Sequence, residues 1–172
     1  SIESCDFNRV DTFLASGSVD NTVRIWDMKN YNCIKTLELH LNPQDQSNFN
    51  FVFSVKFSPD NKWLAASGSE DQCIWLWDTA TYKCRVKYKG HFQYIHYLIF
   101  SRDSDLLISI DTLGYARLWE VPINKINNDS LAILDNGSEE IKQVFWNHSS
   151  NEITFIDTKL QKFVWQLGGK PD

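Results

Sequence analysis

Apolar residues recur along this chain in short alternating runs, and the runs come in repeated sets. From Val52 to Phe57, VFSVKF makes one run; PDNK follows as a turn; WLAAS is a second run; GSEDQ turns again; CIWLW is a third and KCRVKY a fourth. Runs rich in β-branched and aromatic residues, bounded by Asn, Asp and Gly, predict short antiparallel strands. Four tryptophans close similar segments: Trp26 in SGSVDNTVRIWD, Trp77 in SGSEDQCIWLWD, Trp119 in SIDTLGYARLWE and Trp165 in IDTKLQKFVWQ. They lie 51, 42 and 46 residues apart. Counting back from each to the apolar residue that opens its unit (Ile2, Val52, Ile95, Ile141) gives 24, 25, 24 and 24. A spacing this constant predicts one supersecondary unit used four times, at about residues 1–38, 39–89, 90–134 and 135–172. Each unit reads as a four-stranded meander, and the last stops after its third strand. Such a sheet has two apolar faces and must stack on neighbours, and radial stacking of four-stranded sheets is a propeller.

The segment FSPDNKWLAASGSEDQCIWLWD closely resembles the WD-repeat consensus, as do KGH before Ile95 and IWD at residues 25–27. The match covers nearly the whole chain. It is strongest in the first three units, since the fourth lacks the Gly-His pair, the turn Asp and the Trp-Asp ending. The resemblance implies an all-β fold: about four four-stranded antiparallel blades of a larger WD-repeat β-propeller, a ring of about seven blades in most of this family. Further blades before Ser1, in the same parent chain, would then close the ring, and end blades standing alone would expose unpaired edges prone to aggregation. The resemblance also implies a hydrogen-bonded network of His, Ser, Asp and Trp that ties the loop before a blade to its third strand. Carried over, unit one supplies Ser16, Asp20 and Trp26. Unit two supplies Ser67, Asp71 and Trp77, with His40 upstream. Unit three supplies His91, Ser109 and Trp119, with Leu113 where the Asp is expected. Buried Trp N–H groups and His rings need partners, and a charged acceptor makes the stronger bond, so these residues read as structural and not as a catalytic triad.

In WD-repeat proteins the docking surface is most often the rim where loops enter the innermost strands. The resemblance places there the residues flanking each opening apolar position: Ser1 and Glu3, Phe51 and Phe53, Tyr94 and His96, Glu140 and Lys142. Val19 and Glu70, before the turn Asp, join them. Phe51, Phe53, Tyr94 and His96 would give two adjacent blades an aromatic patch of the kind that anchors interfaces. The alternative is that the Phe pair packs against the stretch LNPQDQSNFNF at 41–51, an Asn-rich loop inserted after His40.

Composition narrows the function. With 172 residues, 42% hydrophobic and 23% charged, the chain can bury a core and is not disordered. A formal net charge of -5 argues against nucleic acid as partner. No apolar run approaches the roughly 20 residues of a membrane span. Four cysteines without a C-x-x-C pair read as reduced and buried in a cytoplasmic or nuclear protein, against the counter-signal of three N-x-S/T sequons at Asn128, Asn136 and Asn147. Lys83, Arg85, Lys87 and Lys89 line one face of an outermost strand, which protects an edge or meets an acidic partner. The G-x-S-x-G, Walker-type and G-x-G-x-x-G motifs are absent, and the spacing of His91 and His96 sets them on opposite strand faces, unsuited to one metal. The reading is therefore a non-catalytic scaffold or adaptor with no cofactor and no metal, binding proteins or peptides on its top face. The alternatives are the substrate receptor of a ubiquitin ligase, or the regulatory propeller of a larger nucleotide-binding signalling protein or enzyme.

Overall fold

The short alternating runs become strands. A computed structural model describes residues 1–39, 51–121, 130–134, 140–147, 149 and 151–167. The first sheet comprises β1 (Ile2–Phe7), β2 (Phe13–Ser18), β3 (Thr22–Asp27) and β4 (Asn32–Glu38), paired in that order. The second follows the same plan with β5 (Val52–Phe57), β6 (Trp63–Gly68), β7 (Ile74–Asp78) and β8 (Cys84–Tyr88). The third has β9 (Ile95–Phe100), β10 (Leu106–Asp111), β11 (Ala116–Glu120) and the short β12 (Ala132–Leu134). The fourth, within the described residues, has β13 (Ile141–Asn147), β14 (Glu152–Asp157) and β15 (Lys162–Gln166). Every neighbouring pair is antiparallel, so each sheet is a meander and each is one propeller blade.

The repeat extends to single backbone angles. Five residues before each closing Trp, the turn between the second and third strands needs a left-handed residue: Asn21 (φ 67°), Gln72 (φ 51°), Gly114 (φ 83°) and Leu160 (φ 64°). Asn and Gly enter this region cheaply, whereas Leu does so under strain.

The core lies between blades, not within them. Val23, Ile25 and Leu37 of blade one meet Val55, Leu64 and Trp77 of blade two. Ile74, Leu76 and Tyr88 of blade two meet Ile95, Leu98 and Trp119 of blade three. Ile108, Ile110 and Leu118 of blade three meet Ile141, Ile153 and Phe155 of blade four. Blade one approaches blade two so closely that a Cβ added to Gly17 would lie 2.6 Å from Val52 Cγ1. Polar side chains fix the same seam: Ser4 Oγ accepts the Val55 N–H at 3.1 Å, and Asp6 accepts the Phe57 N–H at 2.8 Å and pairs with Lys56 Nζ at 2.6 Å. At the opposite end from the rim, first-turn residues hold hands between blades. The Arg9 N–H donates to Asn61 Oδ1 (2.9 Å), and the Asp60 N–H donates to Ser104 Oγ (3.0 Å).

The two end faces stay uncovered. Ile2 is 55% exposed, whereas its counterparts Val52 and Ile95 are 0% exposed, and Phe145 and Val164 are exposed on blade four. This geometry corrects the expectation of buried cysteines. Only Cys73 is buried, its thiol pushed up to about 11 by desolvation, while Cys5, Cys33 and Cys84 are exposed. Cys5 points from the open face of blade one, and Cys33 and Cys84 lie on outer edge strands, so no neighbouring blade covers them. The inserted-loop expectation covers residues 41–51, of which all but Phe51 lie outside the described residues.

Candidate interaction rim

Each inner strand carries one extra residue near its start. Ile2 pairs with Ser18 but Ser4 with Gly17, leaving Glu3 outside the ladder. In the same way the register skips Phe53 in β5, His96 in β9 and Lys142 in β13. A bulge of this kind re-aims its residue away from the pleat. Two residues before each bulge, the carbonyls of Ser1, Phe51, Tyr94 and Glu140 each accept the N–H of the turn between the second and third strands, from Val19, Ser69, Thr112 and Thr158 at 3.0–3.1 Å, 2.9 Å for Tyr94. Strand start and turn are thereby locked side by side in all four blades. The eight residues that the WD-repeat resemblance assigns to one rim occupy four equivalent pairs of backbone positions.

The aromatic members meet. The Phe53 ring centroid lies 5.1 Å from His96, 5.9 Å from Tyr94 and 6.3 Å from Phe51. Phe53 is therefore the hub of a cluster spanning blades two and three. The cluster is not sunk into the core: Tyr94 is 40% exposed, nearby Phe92 is 78% exposed, and Phe51, Phe53 and His96 are half-buried. Glu3, Glu70, Glu140 and Lys142 are exposed around it. The Lys142 carbonyl accepts the Tyr97 hydroxyl at 2.9 Å, tying blade four's bulge to blade three.

The residues assigned to the His-Ser-Asp-Trp network fall into three different arrangements. In blade three, His91 Nε2 meets Ser109 Oγ at 2.6 Å, Trp119 Nε1 donates to the same hydroxyl at 2.7 Å, and His91 Nδ1 meets Asp111 Oδ2 at 2.9 Å. Asp111 was not foreseen, because spacing directed attention to Leu113. Its Oδ1 also accepts the N–H groups of Leu113 and Tyr115, so one carboxylate both closes the turn and holds the imidazole. The signal was present as the Ile-Asp-Thr triplet shared by 110–112 and 156–158. Burial holds the His91 pKa below its ordinary value, against the opposing pull of Asp111.

In blade one, Trp26 Nε1 donates to Ser16 Oγ at 2.9 Å, but Asp20 turns outward to Thr22 and Arg24. In blade two, Ser67 does not sit beside Trp77. Trp77 pairs with Leu64, and Ala66 takes the position that Ser16 and Ser109 hold in their blades. The turn before Trp77 is one residue longer, which moves Ser67 to the other face of the sheet. There its hydroxyl donates to the Ile95 carbonyl of blade three at 2.8 Å. Asp71 instead accepts Trp75 Nε1 (2.8 Å) and pairs with Lys87 (2.9 Å), whose ammonium sits 4.1 Å over the Trp75 ring. Lys87 is thus drawn inward, while Lys83, Arg85 and Lys89 stay exposed. His40 lies outside the described residues.

Stacked four-stranded meanders, a bulged inner strand in each and a closing Trp define a WD-repeat propeller. Residues 1–27 and 31–78 match the family profile described as WD domain, G-beta repeat, and the chain belongs to the WD-repeat family. Nuclear distribution protein PAC1 of Arthroderma benhamiae is 30% identical over 112 residues, covering 64% of this chain and 24% of that protein. THO complex subunit 3 of Arabidopsis thaliana is 32% identical over 116 residues, 62% of this chain and 36% of that protein. WD repeat and SOCS box-containing protein 1 of Danio rerio is 35% identical over 116 residues, 67% of this chain and 26% of that protein. The chain thus spans 24–36% of the length of these relatives.

Proposed function

We propose that this chain is a non-catalytic protein-interaction scaffold that docks its partners on the rim formed by the four bulged strand starts. The observation that carries the reading is the cluster centred on Phe53, with Phe51, Tyr94 and His96 around it. Its rings are held by backbone devices and left accessible, which is how interface anchors are built. Glu70 and Lys142 are the polar border of that patch. The network residues Ser16, Trp26, Ser109, Trp119, His91 and Asp111 serve the framework, as do Asp20, Ser67, Asp71 and Trp77. The partners are proteins or peptides in an intracellular complex, neither nucleic acid nor membrane, in keeping with the acidic net charge of -5.

The similarity to a protein named for a SOCS box favours a second reading, the substrate receptor of a ubiquitin ligase. On that reading the same rim reads a substrate. Affinity capture with mass spectrometry, using the full-length protein and a folded Phe51→Ala/Tyr94→Ala variant, tests both. Defined proteins captured by the parent and lost from the variant support the rim as docking surface, and ligase components among them favour the receptor. An unchanged capture list overturns the rim reading.

A further inference from the structure

The rim reading leaves open which chemistry a partner presents, and the charges around the cluster bear on it. In blade order, the four bulge residues run Glu3, Phe53, His96, Lys142, and the residue preceding Lys142's strand is Glu140. Carboxylates therefore stand on both sides of the aromatic cluster. Glu3 is exposed and accepts the hydroxyl of the neighbouring Ser1. Glu140 is exposed and lies close enough to Tyr97 to help push that phenol upward, after the larger effect of burial. Glu70 adds a third exposed carboxylate on blade two. Against these stands one bulge cation, Lys142. The aromatic rings themselves offer negative faces to a cation, and Tyr94 at 40% exposure has a face to offer.

Resting on the rim being the docking surface, we propose that the segment it recognises is basic: an apolar or aromatic side chain that seats against Phe53, flanked by Arg or Lys residues. The flanking cations face Glu3 on one side and Glu140 on the other, and an Arg beside the anchor lies over Tyr94. An acidic segment would meet carboxylates on both flanks and, among the four bulge residues, find a single cation, Lys142. Rim charges of this kind act on selectivity and association rate more than on raw affinity, so the preference is readable as selection between matched peptides.

The test is a displayed library of random peptides selected on the full chain and, in parallel, on its Phe53→Ala variant. Circular dichroism and thermal melting confirm that the variant is folded, and Tyr94→Ala replaces it if it is not. The expected result is enrichment of peptides with Arg or Lys on both sides of an aromatic or aliphatic residue, absent from the variant. A synthetic peptide of that type should bind roughly three- to tenfold more weakly to Glu3→Gln/Glu140→Gln, two exposed pairs being lost. It should bind more tightly to Lys142→Glu, and its affinity should fall with salt. Peptides with acidic or uncharged flanks, selected on the chain and lost on the variant, overturn the basic preference and leave the docking rim standing. Identical selections on both proteins, or none on either, overturn the rim reading and this inference together.

Discussion

Asp157 occupies in blade four the position Asp111 occupies in blade three, and the two carboxylates differ at one oxygen. Both residues pair with the opening isoleucine of their blade, Ile95 for Asp111 and Ile141 for Asp157, and both accept two turn N–H groups at Oδ1. Oδ2 of Asp111 faces His91, whereas Oδ2 of Asp157, fully buried, has no partner among the described residues. Phe155 replaces the serine as well, so blade four keeps the turn half of the device and lacks the half that grips a neighbouring loop.

The blade-three half depends on one hydroxyl. Ser109 receives Trp119 Nε1 and meets His91 Nε2, and all three side chains are buried. Ser109→Ala leaves two buried polar groups without that partner and should cost about 1–3 kcal/mol in urea unfolding. Ser16→Ala should cost less, because Ser16 satisfies only the half-buried Trp26. Equal losses would contradict the structure.

His91 makes stability depend on pH. Burial holds its folded-state pKa below 6.5, so the folded protein keeps the ring neutral while the unfolded chain takes up a proton first. Stability should therefore fall as pH drops below 6.5, with no loss above it. Asp78, held low by hydrogen bonds from Thr81, withdraws its contribution only as pH falls below its unfolded value of 3.8 and does not act in that range. Melting at pH about 7.5 and about 5.5 should show a smaller difference in His91→Gln than in the parent, the other histidines cancelling in the comparison.

Gly17 sets the distance between blades one and two. An alanine Cβ there would come within 2.6 Å of Val52 Cγ1 and 3.1 Å of the Val52 carbonyl oxygen. Gly17→Ala should destabilise by about 1–3 kcal/mol, as overpacking does. Since the shortest contact, 2.6 Å, is with Val52 Cγ1, which alanine lacks, Gly17→Ala/Val52→Ala should cost less than the sum of the two single changes. A double-mutant cycle with additive values would remove the proposed contact.

Leu160 pays for a turn that Asn21 and Gly114 make cheaply. It holds φ 64° while its side chain is 73% exposed, so little burial offsets the strain. Leu160→Asn and Leu160→Gly should each stabilise by roughly 1 kcal/mol. For a chain of this size that is a rise in Tm of about 2–4 °C by calorimetry.

The blades were legible because a strand closed by a Trp is a one-dimensional pattern: Trp26, Trp77, Trp119 and Trp165 carry it without help from the rest of the fold. The rim positions came from the WD-repeat resemblance, counted from Ile2, Val52, Ile95 and Ile141, and the bulges there were not legible. VFSVKF reads as one apolar run, and the extra residue emerges only where Val52 and Ser54 pair with consecutive residues of β6. Ser67 shows the cost of a single residue. The 25-residue spacing in unit two already differed from the 24 of the others, and that one residue moves Ser67 from Trp77 to the carbonyl of Ile95. Asp111 escaped because the WD-repeat pattern sets the Asp two residues later, at the position Leu113 holds, while the carboxylate that meets His91 comes from the end of β10.

The bulges also separate two kinds of inheritance. Glu3, Phe53, His96 and Lys142 make no cross-strand pair, so exchanging them leaves every rung of the ladder in place. Substitutions at exposed, unpaired sites such as Glu3 and Lys142 usually shift stability by only about 0.5 kcal/mol. The residues that line this rim are thus the ones the strand pairing constrains least. A lineage could exchange them, one blade at a time, while the strands beneath stayed the same.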